Sequence, residues 1–326
     1  MTYLSRILCL APLLLAACAS PSVTPERLPT RAATPIPTPS PISARAYYEE
    51  GVTRQKRGDA EGALQSLTWA IQRAPDFAPA YVARGSIYLA QGNLRLALID
   101  ADDALQADPT SAPAHALRGE ALRLLGRSEA ALDAFDRALE LAPDLKPETF
   151  RSRWLAARAA HTGSRLLALN REYTNGHPDD PLRHYYRAWA LTELGTPRTA
   201  IGALIESIQN TPDPPALLWF ALGHAYAANL SWQEAVASFE AVRVLVQAGD
   251  TSLVIHSDRP IADLFDALGR AYLGAGRCVD AEVTLEYAVD AGASLSELAA
   301  SLEEARICQT PTPTFTPWPT VTRPSW

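Results

Sequence analysis

Positive charge is scarce in this sequence relative to what nucleic acid binding needs. Its 29 Lys and Arg stand against 36 Asp and Glu, a net charge of −7 at pH 7, which points away from DNA and RNA as partners. Lysine is almost absent: Lys56 and Lys146 are the 2 lysines, leaving 27 arginines (29 − 2). No glycine-rich phosphate loop, His-Glu-x-x-His or Gly-x-Ser-x-Gly occurs. Gly274-Ala275-Gly276 lacks the third glycine and the preceding strand of a dinucleotide fingerprint. The six histidines are scattered, and none sits at ligand spacing beside a cysteine. These absences argue against an enzyme, a metal site and a bound cofactor. The acidic cluster Asp100, Asp102 and Asp103 reads as a solvated helix face.

What is present is a repeat. Ala63, Ala97 and Ala131 lie 34 residues apart, each twelve residues after a glycine (Gly51, Gly85, Gly119) and twelve before a proline (Pro75, Pro109, Pro143). A second set, Gly58, Gly92 and Gly126, follows the first glycines by seven residues. Between these points the apolar residues recur at helical spacing, as in Leu94, Ala97, Leu98, Ala101, Ala104 and Leu105. Gly92-Asn93 ends one helix, since glycine takes the left-handed conformation of a helix end. Pro109 ends the next, because proline cannot continue the hydrogen-bond ladder. Stacked helical hairpins follow from the period. The small residues let the two helices of each hairpin approach closely.

The pattern resembles the tetratricopeptide repeat (TPR) family, on Tyr81, Gly85, Tyr88, Ala97, Ala104 and Pro109 and their counterparts one period away. Looser units are read at 149–182 (Ala156, Gly163, Ala168), 181–214 (Ala188, Gly195, Ala200), 216–249 (Gly223, Tyr226, Ala235, Phe239) and 262–295 (Gly269, Tyr272, Ala281). The resemblance implies an all-α, right-handed α-solenoid of about seven TPR-like hairpins. A C-terminal capping helix is expected over Ser294–Cys308, with Leu295, Leu298, Leu302 and Ile307 facing inward. Gln247–Pro260 is extra sequence between two units. It reads as a long interhelical loop with an extended stretch, either an insertion the solenoid tolerates or a segment on the binding side.

The N-terminus carries one positive charge in its first six residues, then the apolar run Ile7–Leu15, too short to span a bilayer as a mature helix. It ends in Leu15-Ala16-Ala17-Cys18, which resembles the lipobox of bacterial lipoproteins. That resemblance implies removal of 1–17, lipidation of Cys18 and anchoring to a membrane by its acyl chains. The alternative is an ordinary signal peptide with a nearby cysteine. The implied location is the bacterial cell envelope, facing the periplasm or the exterior. The expected domains are therefore the signal 1–17, a Pro/Thr-rich linker 18–43, the solenoid 44–308 and a Thr/Pro-rich tail 309–326. The linker and tail cannot bury a core and favour polyproline II.

Two cysteines remain after Cys9 and Cys18. Cys278 opens the second helix of the last unit, and Cys308 closes the capping helix. Consecutive helices run antiparallel, so a disulfide is expected there, with two free buried thiols as the alternative. A loop of this length gives about 3–4 kcal/mol in the chain-entropy model.

In TPR proteins the first helices line the concave face. The resemblance thereby marks Tyr48, Arg123, Arg153, Tyr185, Trp189, Phe220 and His224 as groove residues. Tyr185, Trp189 and Phe220 form the expected patch, because aromatics beside arginines suit peptide recognition. The implied function is a non-catalytic adaptor that holds a protein segment or peptide from another cell-envelope protein. The other class is a subunit that binds a glycan or peptidoglycan fragment. On the adaptor reading, Trp189→Ala weakens binding without lowering thermal stability; the alternative for each of these residues is packing against the adjacent unit, in which case a large drop in melting temperature marks Trp189 as core.

Overall fold

The computed structural model describes residues 43–309, which hold fifteen α-helices, two 3₁₀ turns and no strand. The expected signal segment, Cys18, the linker up to residue 42 and the tail from residue 310 lie outside the described residues. Among the described residues no helix is long and apolar enough to cross a membrane.

The helices pair in chain order. The first three hairpins are α1 (Ala44–Lys56) with α2 (Ala60–Arg73), α3 (Ala78–Ala90) with α4 (Leu94–Ala107), and α5 (Ala112–Leu124) with α6 (Ser128–Leu141). Next come α7 (Lys146–Ala159) with α8 (Gly163–Gly176), and α9 (Leu182–Glu193) with α10 (Pro197–Asn210). The last two are α11 (Ala216–Ala228) with α12 (Trp232–Gln247), and α13 (Pro260–Gly274) with α14 (Cys278–Asp290), and α15 (Leu295–Gln309) closes the stack. Seven hairpins and a terminal helix are thus what the 34-residue period builds.

Small residues set the spacing. Ala63, Ala97, Ala131, Ala200, Ala235 and Ala281 are each fully shut from solvent. A methyl group on Gly119 would meet Phe135 at 2.9 Å, and one on Gly223 would meet Phe239 at 2.6 Å. Glycine in the first helix therefore makes room for a large side chain from the second. The hairpin turn of α3–α4 uses Gly92 at φ +75°. His161 (φ 51°) and Leu230 (φ 60°) take the same left-handed position in the α7–α8 and α11–α12 hairpins without being glycines.

The fourth unit departs from its expected register. Its hairpin starts at Lys146, three residues before the assigned 149. Ala168 is exposed, and Leu166, 0% exposed, occupies the buried position instead. The displaced proline and the histidine at the turn hid this shift. Trp154, also 0% exposed, fills the interior of the unit, against Tyr185 and Tyr186.

The acidic cluster also divides. Asp100 is 2% exposed, and Arg84 donates to both of its carboxylate oxygens at 2.7 and 2.9 Å. Asp102 instead pairs with Arg118 at the surface. Removing one partner leaves a shielded, uncompensated charge, so Asp100→Ala is expected to cost on the order of 3 kcal/mol in chemical denaturation. Asp102→Ala should change stability by under about 1 kcal/mol.

In α15, Leu298 and Leu302 face inward as expected, joined by Ala305. Leu295 and Ile307 are exposed instead, at 61% and 60%. Ile307 lies nine residues after Leu298, half a turn round the helix axis from it. Cys278 and Cys308 are joined in a disulfide, with Cα atoms 5.8 Å apart.

Candidate functional site

The inner face between α5 and α13 is filled by the chain's own insertion. The segment after α12 passes Gly249 and forms a 3₁₀ turn, Ser252–Ile255, rather than an extended stretch. Its start is anchored on α11. Asp250 accepts from the Ala216 amide at 2.8 Å, and Ser252 Oγ from the Leu217 amide at 3.1 Å. These are free donors of the first turn of α11, whose own flanking residue, Pro215, provides no side-chain cap. The insertion supplies that cap from 34 residues away.

The turn then presents one side to the groove. Residues i and i+3 of a 3₁₀ turn fall on the same side, and Leu253 and His256 are 2% and 4% exposed. The His256 ring lies 4.4 Å from the ring of Phe220, 5.2 Å from Trp189 and 6.0 Å from His224, centroid to centroid. Its Nδ1 stands 3.0 Å from the Tyr185 hydroxyl and 2.6 Å from Arg158 Nη1. The same Arg158 nitrogen also lies 2.9 Å from Nε2, so one guanidinium donor faces both ring nitrogens of the imidazole. Asp263 Oδ2 stands 4.0 Å from Nε2. Burial, with Arg158 and His224 nearby, holds the His256 pKa well below the usual histidine value. His224 is lowered to about 3, by burial and by Arg158.

Three arginines hold the segment in place. Arg151 on α7 donates to the carbonyls of Val254 and Ser257, each at 3.0 Å, and to Asp258 at 3.0 Å. Arg158 donates to the His256 carbonyl. Arg123 on α5 donates to Asp258 at 2.6 Å and to Glu120 at 2.6 Å. Burial disfavours the charge on Asp258, but Arg123 and Arg151 outweigh it and hold the carboxyl below its ordinary range. At the far end of the insertion, Arg259 donates to the Gly292 carbonyl and to Glu297, which ties the segment to the last unit and α15.

The expected groove residues therefore separate. Tyr185, Trp189, Phe220 and His224 converge around His256 rather than on an open surface, and Arg123 meets Asp258 of the same insertion. Tyr185 and Phe220 are 0% exposed and Trp189 8%, so the aromatic patch is covered, not presented. Arg153 faces away from the groove, towards α8. It is buried and donates to Glu172 at 2.5 and 3.0 Å and to the Lys146 carbonyl, so its role here is to join α7 to α8. Its neighbours on α7, Arg151 and Arg158, take the groove position, as the shifted register of this unit requires. Tyr48 packs edge-on against Phe77 in the core of the first hairpins. Arg151, Arg158, His256 and Asp258 were not singled out from sequence. The available signal was the charge match between an arginine-rich α7 and an insertion carrying Asp258.

Two TPR family models match the chain, one over residues 48–112 and one over 112–145. They cover the first three hairpins, where the glycine–alanine register is tightest. No curated protein matches the chain. Among solved structures, a tetratricopeptide repeat protein from Parabacteroides merdae ATCC 43184 is similar, with a TM-score of 0.66 and 18% identity over 81% of this chain and 98% of that one. Yeast Tom70 aligns with a TM-score of 0.45 and 18% identity, over 81% of this chain and 53% of its own. The APC/C hetero-tetramer Cut9-Hcn1 aligns at 0.49 and 17%, over 82% and 50%. The likeness to the first is one of fold, and the chain spans about half the length of the last two. The chain thus carries tetratricopeptide repeats, and its described residues form an all-α, TPR-like solenoid.

Proposed function

We propose that this chain is a non-catalytic adaptor of the bacterial cell envelope. In this reading Cys18 carries the lipid, the Pro/Thr-rich linker extends from the membrane, and the solenoid holds a segment of another protein along its inner face. The observation that carries the reading is the state of that face: three arginines bind main-chain carbonyls and a carboxylate of a peptide segment, over an aromatic floor. Carbonyls and a carboxylate are what a partner's segment would also offer.

A crosslinking residue at Ser86 in the living cell tests it. Ser86 is half-buried and stands one 34-residue period before Glu120, which flanks the Arg123–Asp258 pair. One dominant protein adduct supports the adaptor. A folded, abundant chain that gives no protein adduct contradicts it. The anchor has its own test: Cys18→Ser is expected to abolish labelling by radioactive fatty acid and to release the chain from membranes. Unchanged fractionation would refute lipidation at this residue.

A second reading, glycan or peptidoglycan-fragment binding, draws support from one feature. A cavity of about 560 Å³ between α9 and α10 is lined by polar groups including Arg183, His184, Arg187, Glu206 and Asn210. Saturable binding of a soluble muropeptide, lost in Arg187→Ala, would favour this reading over the adaptor.

A further inference from the structure

We infer that the inner face recognises a turn-forming protein segment of defined pattern, and that residues 253–258 are the chain's own copy of that ligand, which a partner displaces. The pattern is an apolar residue, an imidazole or aromatic ring three positions on, and a carboxylate two positions after that. It deepens the adaptor reading and rests on it.

Several observations converge on a ligand rather than a plain loop. The segment is gripped chiefly by side chains from α5 and α7: Arg151 and Arg158 of α7 contact its carbonyls at Val254, His256 and Ser257, and Arg123 of α5 its Asp258 carboxylate. The carbonyl contacts fix a backbone path while reading little of its sequence. What they leave to be read is supplied at three points. Leu253 is 2% exposed in the apolar interior, His256 meets Tyr185, Trp189 and Phe220, and Asp258 bridges Arg123 and Arg151. Val254 is not read, its side chain being 54% exposed.

The fit is incomplete in one respect. The Trp189 indole N–H is shielded from water and has no partner, although it lies in the floor on which His256 rests. A buried donor left unpaired is costly. A segment bringing a carbonyl or hydroxyl there would bind better than the resident one, which gives a partner a route to displace it. The anchors of the insertion lie outside the six residues: Asp250 and Ser252 cap α11, and Arg259 reaches Gly292. The segment can therefore leave the groove while both of its ends stay in place. Charge also selects the partner, since a carboxylate satisfies Arg123 and Arg151 and a lysine in its place would be repelled.

The test replaces residues 253–258 by alternating Gly and Ser in the full chain and offers a fluorescein-labelled peptide of residues 250–260. The opened chain is expected to bind the peptide saturably in the micromolar range, and the unaltered chain at least 30-fold more weakly. Adding Arg151→Ala to the opened chain, or changing Asp258 of the peptide to Lys, should each weaken binding at least tenfold. A folded, opened chain that ignores the peptide overturns the inference. So does one that dimerises instead, which would make a second copy the occupant. Should the opened chain fail to fold, the segment is core and the inference also falls. Hydrogen exchange on the unaltered chain gives an independent check: amides of 253–258 should exchange at least tenfold faster than those of α11. Equal protection would overturn it. Failure here with a protein adduct from Ser86 would leave the adaptor standing on a different surface.

Discussion

Trp189→Ala is expected to destabilise the chain by about 3–5 kcal/mol, the cost of emptying a large buried aromatic site. The expectation of an open peptide groove led to the opposite outcome, in which Trp189 lay exposed and its loss spared stability. The structure reverses it. Trp189 is 8% exposed and lies against His224 and His256, with the Arg158 guanidinium 5.5 Å from its ring centre. Truncation would remove the floor under His256 and loosen α9 from α11 together. Urea unfolding followed by circular dichroism measures it, with Trp69→Ala as a control on a ring that is 38% exposed. A Trp189→Ala midpoint within error of the parent would mean that the insertion does not cover this ring.

The second large effect is acid lability. His224 and His256 are held neutral in the fold, with pKa values below the ordinary 6.5. Above that value both are neutral whether the chain is folded or not, and they leave stability unchanged. As pH falls below 6.5, the unfolded chain takes up protons that the folded chain excludes, so stability falls. Each such histidine costs up to about 1.4 kcal/mol per pH unit until its folded pKa is reached. His184, lowered by burial and by Arg183 and Arg187, acts in the same direction. Asp258 joins only below its ordinary value of 3.8, since Arg123 and Arg151 hold its folded pKa lower still. From pH 6.5 downward the decline comes from the histidines, and towards the carboxylate range Asp100 and Asp266, raised by burial, offset part of it. Stability in the double variant His224→Phe, His256→Gln should decline much less over this fall in pH than in the parent. Parallel slopes would place both rings in water.

What was legible in the sequence follows from how locally each feature is determined. In hairpins one to three, six and seven, Gly and Ala recur at fixed spacing because helix contact leaves no space for a side chain. Gly119 against Phe135 and Gly223 against Phe239 are examples. The disulfide Cys278–Cys308 was legible for the same reason, since it needs only antiparallel neighbours. In hairpin four that logic lapses. Leu166 replaces the small residue, His161 takes the turn without glycine, and the register is misread by three residues. That shift misdirected the groove assignment from Arg151 and Arg158 to Arg153.

The insertion was visible as a break in the period, but its destination was not. Contacts such as Arg123 to Asp258 join residues 135 apart, and no helical spacing encodes them. The same holds for Asp100. Its neighbours at i+2 and i+3 suggested a solvated face, yet Arg84, from the preceding helix, decides its burial.

The measurement closest to the central claim is a double-mutant cycle between Arg123→Ala and Asp258→Ala, read as unfolding free energy. If the insertion is seated in the groove by this pair, the two substitutions are non-additive, with a coupling energy of about 1–3 kcal/mol. Effects that add to within about 0.5 kcal/mol would show that Asp258 does not meet Arg123, and that the insertion lies elsewhere.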